Sequence, residues 1–192
     1  MTRTALFAYG SLVDPASAAI TLGRPVELVA AVRLPGWRRT WTQGRDNRRV
    51  EKTFARADDG GIPPWCIGLN LEPEPDSGRA PNGALFEVGE ADLARLDVRE
   101  LRYTRTDVTA ALPDTGFERV VTYIARPEHH HRVAPPGAVV IGAYLQAVER
   151  AFERLGEGEL ERFRETTGAP PVEIIEARLV RDRIPPGNPR EW

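Results

Sequence analysis

Phe7-Ala8-Tyr9-Gly10-Ser11-Leu12 is the stretch on which the fold turns. Residues 4–9 form a short apolar run, which Gly10 and Ser11 break before Pro15 opens a differently spaced pattern. That order predicts a buried strand, a tight turn and then a helix. Pro15 suits a first helical position, where its missing N–H would be unpaired anyway, and Gly23 suits the end of a helix reaching residue 22. Such a turn leaves successive backbone N–H groups without strand partners, so it can hold a carboxylate or a developing oxyanion. The plainer alternative is a tight turn whose serine caps the following helix.

From this turn the chain alternates short strands and helices, with no internal repeat. Residues 27–42 hold two apolar stretches divided by Pro35-Gly36, a turn dipeptide. Trp37 and Trp41, four apart, fall on one face of a strand. Residues 43–64 are polar and rich in Arg, Asp and Gly; they read as a long exposed loop, expected to border the functional pocket. Strands are predicted over 65–71 and 84–88, with an exposed connection over 73–81. A short helix over 90–97 turns Leu93 and Leu96 inward. Residues 103–112 and 117–125 read as strands joined by Pro113-Asp114-Thr115-Gly116. Over 139–155, Val140, Ala143, Tyr144, Ala147, Val148, Ala151, Phe152 and Leu155 make one apolar helical stripe. A second helix over 157–166 ends at Gly168, and strand character returns after Glu173 as far as Val180. The expectation is a single α/β (α+β) domain over residues 1–192, with a mixed, largely antiparallel, barrel-like sheet and flanking helices.

Composition narrows the function classes. A chain of 192 residues can bury about 70% of the surface its unfolded form exposes, so it needs no covalent staples. Cys66 is the only cysteine, which excludes an internal disulfide and fits a reducing compartment. The first apolar run is too short for a signal-peptide core, and no stretch reaches the roughly 20 apolar residues that span a bilayer. A formal net charge of −2 provides no global attraction to nucleic acid or anionic membrane. The expectation is a cytoplasmic protein acting on a small molecule, with oligomeric state left open.

Leu93-Ala94-Arg95-Leu96-Asp97-Val98-Arg99-Glu100, followed by Tyr103 and Arg105, is the second informative stretch. A helix gives way to a strand with Glu100 at the junction. The helix's carbonyl end and nearby aromatic rings both disfavour the ionised carboxylate and move its pKa toward neutrality. A carboxylate tuned that way can take and return a proton at working pH. The alternative is a solvated glutamate, or one paired with Arg99 or Arg102.

Together these pieces resemble the γ-glutamylcyclotransferase-like superfamily. Tyr9-Gly10-Ser11-Leu12 looks like its substrate-binding loop, and Arg33-Leu34-Pro35-Gly36-Trp37-Arg38-Arg39-Thr40-Trp41 resembles its next strand pair. Residues 82–88, 96–100 and 103–108 are similar to the strand-helix-strand block around its essential Glu. The pieces appear in family order across residues 7–108, and the later helix with Tyr144 resembles the family's C-terminal part. The resemblance implies Glu100 as general acid/base and the backbone of Gly10, Ser11 and Leu12 as the holder of a glutamyl end, with Tyr9, Tyr103 and Tyr144 lining the pocket. It implies release of 5-oxoproline from a small-molecule γ-glutamyl amide, with no metal or cofactor. Leu12 directly after Ser11 and Leu101 directly after Glu100 depart from the family pattern, which leaves the natural substrate open. Few catalytic groups suffice, because nucleophile and carbonyl share one molecule and oriented intramolecular reactions reach effective molarities of about 10⁵ M or more. Two other readings stay open: a binding module of the same fold without turnover, and a hydrolase or amide-transfer enzyme using the same pocket.

Other features are assigned ordinary roles. His129-His130-His131 reads as an exposed loop, since adjacent histidines alternate sides and a closed zinc site needs about four ligands. Cys66 reads as a buried structural thiol. Ser11 lacks the glycine-flanked elbow of a nucleophilic serine. The Arg-rich run over 38–52 reads as a solvated loop face.

Overall fold

The computed structural model describes residues 3–76 and 78–190. A five-stranded sheet contains, in spatial order, β2 (Ala30–Arg33), β6 (Asn82–Val88), β1 (Thr4–Ala8), β8 (Arg119–Ala125) and β7 (Tyr103–Asp107). β1 is its axis. It pairs antiparallel with β6 and parallel with β8, and all five of its residues are buried. A strand flanked on both edges and covered on both faces carries a continuous apolar run rather than an alternating one. β6 passes so close that a Cβ on Gly83 would stand 2.3 Å from the Ala8 carbonyl oxygen, so glycine is required there.

A four-stranded sheet orders β10 (Ile174–Ile175), β9 (Ala138–Ile141), β5 (Trp65–Pro73) and β3 (Trp37–Asp46). β4 (Lys52–Arg56) and β11 (Ala177–Asp182) form a separate two-stranded ribbon. The pairings β1–β8, β5–β9 and β9–β10 are parallel and the other five are antiparallel, so the sheet system is mixed and largely antiparallel. Closure into a barrel is not seen in the hydrogen-bond pattern. The two larger sheets are stitched by side chains instead: Asn70 accepts from the Ala125 N–H at 2.8 Å, and the Tyr103 hydroxyl donates to the Leu69 carbonyl at 2.8 Å. This seam is where the candidate site lies.

Four α-helices are packed on these sheets: α1 (Pro15–Leu22), α2 (Glu90–Arg99), α3 (Gly142–Leu155) and α4 (Glu159–Thr167). α1 begins as its sequence dictates. Asp14 caps the Ala16 N–H at 2.9 Å, Pro15 takes the first position, and Gly23 at φ 69° ends the helix. None of the helices is long and apolar enough to cross a membrane among the described residues.

Four expectations need correction. Residues 43–64 are not a loop: β3 continues to Asp46, and β4 begins at Lys52. The connecting Asn47 is fully buried and donates to the carbonyls of Phe54 (2.8 Å) and Pro63 (2.9 Å) while accepting from the Phe54 N–H. Polar composition concealed the strands because Gln43, Asn47, Lys52 and Thr53 are themselves buried, and because β4's partner β11 lies over a hundred residues away. The strand expected over 103–112 stops at Asp107, whose carboxylate caps Thr109 at 2.9 Å and starts a 3₁₀ turn over Thr109–Ala111. The helix expected over 139–155 begins only at Gly142, because β-branched Val139, Val140 and Ile141 pair between β5 and β10. The histidine run is partly buried: His130 Nε2 lies 2.8 Å from Glu72, and the His131 ring packs edge-on against Trp65.

Arg39 also overturns the solvated-face reading of residues 38–52. On β3, Trp37, Arg39 and Trp41 share a face, and that face points inward. Arg39 is 1% exposed. Its guanidinium lies against both the Phe152 and Phe163 rings, 4.7 and 4.6 Å from their centroids, and those rings stack on each other at 4.6 Å. It donates to the Tyr9 carbonyl (3.0 Å), the Asn82 carbonyl (3.1 Å), the Asn82 amide oxygen (2.6 Å) and Thr167 (2.9 Å). Burial pushes its pKa down to about 9. Replacing it with an apolar isostere orphans those acceptors, each costing about 1–3 kcal/mol. Arg39→Met is therefore expected to lose about 3 kcal/mol or more of unfolding free energy in a denaturant titration.

Glu72 on β5 makes a second buried polar knot. Burial alone raises its pKa, but hydrogen bonds from Thr42 (2.7 Å), Arg38 (2.6 Å) and His130, with the Arg38 charge, hold it at about 2. A depressed carboxylate contributes stability that is present above its unfolded value near 4.5 and lost as pH falls toward 2. Thermal melts across that window should show Tm falling with pH in the wild type, and a visibly shallower fall for Glu72→Gln.

Candidate active site

The chain leaves β1 through Tyr9 and Gly10 and enters a single 3₁₀ turn, Ser11–Val13, before α1. The first N–H groups of such a turn have no partner within it. Arg39 holds the Tyr9 carbonyl from below, so the turn's position is set by a residue thirty places away. Leu12 and Val13 anchor the turn in the core.

Glu100 is the C-terminal capping residue of α2, with φ −89° and ψ 35°. Its N–H donates to the Leu96 carbonyl at 2.7 Å, and its own carbonyl accepts from the Tyr103 N–H at 2.7 Å. Both backbone groups are used, so the side chain's direction is locked between helix and β7. That side chain is 18% exposed. Arg99 donates to its Oε1 at 3.2 Å, and the same guanidinium donates to the hydroxyls of Thr21 and Ser11. Arg102, the other partner offered by the sequence, pairs with Glu51 at 2.6 Å instead.

Three phenols surround this carboxylate. The Tyr9 hydroxyl donates to the Tyr123 carbonyl (2.7 Å), the Tyr103 hydroxyl donates to the Leu69 carbonyl (2.8 Å), and the Tyr144 hydroxyl accepts from the Leu69 N–H (3.5 Å). Tyr144 enters from the first turn of α3 and packs edge-on against Trp41. Tyr9, Gly10, Ser11, Leu12, Glu100, Tyr103 and Tyr144, all proposed from the sequence, line one cavity of about 60 Å³ with Leu69 and Tyr123. It adjoins a larger cleft of about 460 Å³, and Ser11, Glu100, Tyr103 and Tyr144 stand on the boundary of both. Gly68 keeps the boundary open: a Cβ there would meet Gln43 at 3.0 Å and the Tyr103 and Tyr144 hydroxyls at 3.9 Å.

Electrostatics divides the roles. Burial raises the Glu100 pKa, and the charge and hydrogen bond of Arg99 oppose the rise without cancelling it. Burial moves Tyr9 and Tyr103 well above the ordinary phenol value and Tyr144 up to about 12. The phenols thus stay protonated through the neutral range, and Glu100 is a carboxylate whose pKa this cavity raises.

Arg39, Gly68 and Leu69 belong to the site's surroundings without having been expected there from the sequence. Arg39 had a signal: period-two alternation with Trp37 and Trp41. Gly68 and Leu69 had none, because their backbone groups matter rather than their side chains. The segment expected to border the pocket does so, as Gln43 and Arg45 of β3, Glu51, and Lys52 and Phe54 of β4. Among the described residues no group of three His, Cys, Asp or Glu side chains could hold a metal ion.

Comparison with known proteins places this geometry. A solved structure of a γ-glutamyl cyclotransferase superposes with a TM-score of 0.55 at 15% identity, covering 88% of this chain and 89% of that one. A human protein described as uncharacterized gives 0.55 at 16%, covering 88% and 90%. YkqA from Bacillus subtilis gives 0.54 at 19%, and 90% of this chain matches 56% of that one. At these identities the likeness shows the fold alone. No curated protein matches the chain. The family model described as "Gamma-glutamyl cyclotransferase, AIG2-like" matches residues 6–146, from the middle of β1 to the first turn of α3, and the chain belongs to that family.

Proposed function

We propose that the protein is a cytoplasmic, cofactor-independent cyclotransferase that releases 5-oxoproline and an amine from a γ-glutamyl amide, with Glu100 as general acid/base. The observation that supports this reading is the placement of the Glu100 carboxylate, its pKa raised by burial, and the Gly10-Ser11-Leu12 turn on one small cavity beside a larger cleft. The small cavity takes the glutamyl end, and the cleft takes the amine half.

In the reaction, the ionised Glu100 takes a proton from the substrate's α-ammonium. The freed amine attacks the γ-carbonyl carbon, forming the ring C–N bond, and the carbonyl electron pair moves onto oxygen. Backbone N–H groups of the Gly10-Ser11-Leu12 turn stabilise that oxyanion. Glu100 returns its proton to the departing nitrogen as the old C–N bond breaks. The second proton on the ring nitrogen leaves with the amine product as its ammonium. Holding nucleophile and carbonyl in one bent substrate supplies much of the rate. Arg99 acts by positioning: it donates to Oε1, and its charge opposes the rise in the Glu100 pKa.

Glu100→Gln keeps the shape but exchanges no proton, so 5-oxoproline release should fall by about 10²-fold or more while binding of a γ-glutamyl amide is retained. Liberated 5-oxoproline and calorimetric titration of the variant measure the two. Unchanged release would remove Glu100 from the mechanism, and free glutamate as product would point to hydrolysis.

The pH profile checks Arg99. The base form of Glu100 is active, so kcat/KM should decline as pH falls through its raised pKa. Arg99 opposes that rise, so Arg99→Gln should move the acid limb to higher pH. A fall in rate with an unmoved limb would assign Arg99 a purely structural role.

A further inference from the structure

The 460 Å³ cleft is built largely from segments that do not hold Glu100. Its apolar lining comes from Phe54, Ile67, Ile141, Ala147 and Ile184. Five basic side chains also face it. Arg99 pairs with Glu100, and the pairing of the other four is uneven. Arg102 and Arg190 share Glu51, at 2.6 and 3.8 Å, and Lys52 stands 3.6 Å from Asp182. Arg45 makes no ion pair among the described residues. Its guanidinium lies over the Phe54 ring, 5.1 Å from the centroid, with Cys66 as a hydrogen-bond partner. A guanidinium seated on an aromatic wall keeps edge N–H groups for a ligand, and its planar fork fits a carboxylate in bidentate fashion. Ile184 and Arg190 lie beyond residues 6–146, so the chain outside the family match supplies part of this cleft.

We propose that the cleft is a specificity subsite selecting γ-glutamyl conjugates whose amine half is an apolar body bearing a carboxylate, with Arg45 as the residue that reads the carboxylate. This rests on the adjoining cavity being the cyclisation centre, because that places the amide nitrogen at the boundary by Ser11 and Glu100. The apolar body lies along the isoleucine lining, and the carboxylate meets Arg45. A cationic amine half faces Arg45 and Lys52 and is rejected by like charge.

The test uses two conjugates differing only in that carboxylate, γ-glutamyl-phenylalanine and γ-glutamyl-phenethylamine. A charged hydrogen-bonded contact of this kind predicts a preference of at least about tenfold for the phenylalanine conjugate in wild-type kcat/KM. The same preference should appear in its Kd for Glu100→Gln. Arg45→Gln should shrink the ratio to within about twofold, and Arg45→Lys should restore part of it. Equal handling of both conjugates by the wild type, or a ratio untouched by Arg45→Gln in folded protein, overturns the subsite assignment and leaves the cyclotransferase reading standing. Arg45-dependent preference in binding without 5-oxoproline from either conjugate supports the subsite and overturns the cyclotransferase reading. Failure of both conjugates to bind overturns both.

Discussion

A single buried cation organises the region around the candidate site. Arg39 could not reside in the core unless its charge and donors were met, because burying an unpaired charge costs several kcal/mol. Two phenylalanine faces, two backbone carbonyls, the Asn82 amide oxygen and the Thr167 hydroxyl meet them. These partners come from the turn after β1, from β6, from α3 and from α4. Asn82 extends the knot by donating to the Glu159 carboxylate at 2.7 Å, which also pairs with Arg33. The outcome is that the Tyr9 carbonyl, and with it the start of the Gly10-Ser11-Leu12 turn, is pinned to the core. Preorganised backbone donors contribute to catalysis only when they need not move as charge develops, and this anchoring satisfies that condition.

The carboxylate is treated by an opposite logic. Glu100 sits where a helix ends, with its backbone bonded on both sides and one carboxylate oxygen held by Arg99. The surrounding phenols are spent on backbone groups: Tyr9 on the Tyr123 carbonyl, Tyr103 on the Leu69 carbonyl and Tyr144 on the Leu69 N–H. They desolvate Glu100 without neutralising it. Arg99 provides the opposing charge, itself buried against Thr21 and Ser11. Desolvation and ion pairing pull the pKa in opposite directions, and desolvation prevails. The same guanidinium reaches Ser11, which ties Glu100 to the Gly10-Ser11-Leu12 turn.

Strand pairing and turn chemistry explain which features could be read from the chain. The strand over Thr4–Ala8, the helix start at Pro15, the stop at Gly23 and the junction at Glu100 rest largely on preferences of residues close together in the chain. Periodicity and capping rules report on those. The seven residues singled out for the pocket come from three separated parts of the chain and line one cavity. Their order along the chain, through family resemblance, pointed to them jointly; no local rule would have done so.

What the sequence determined by itself was the set of local conformations: a continuous apolar run for a strand buried on both faces, a Gly-Ser break for the turn, and a helix end that places a glutamate at its carbonyl pole. What only the tertiary structure decided was every feature whose partner is distant. Arg39 became a core residue because four remote elements converge on it, and residues 43–46 and 52–56 became strands because buried Asn47, β5 and the far β11 complete their hydrogen bonds. Val139 to Ile141 became a strand because β5 and β10 offered ladder partners that an isolated helical stripe could not match. Arg45 makes no ion pair among the described residues, whereas Arg102, Arg190 and Lys52 reach Glu51 or Asp182. Local sequence sets the conformational preference of each segment. The energy of burying polar and charged groups depends on which partners the whole fold brings within hydrogen-bond reach.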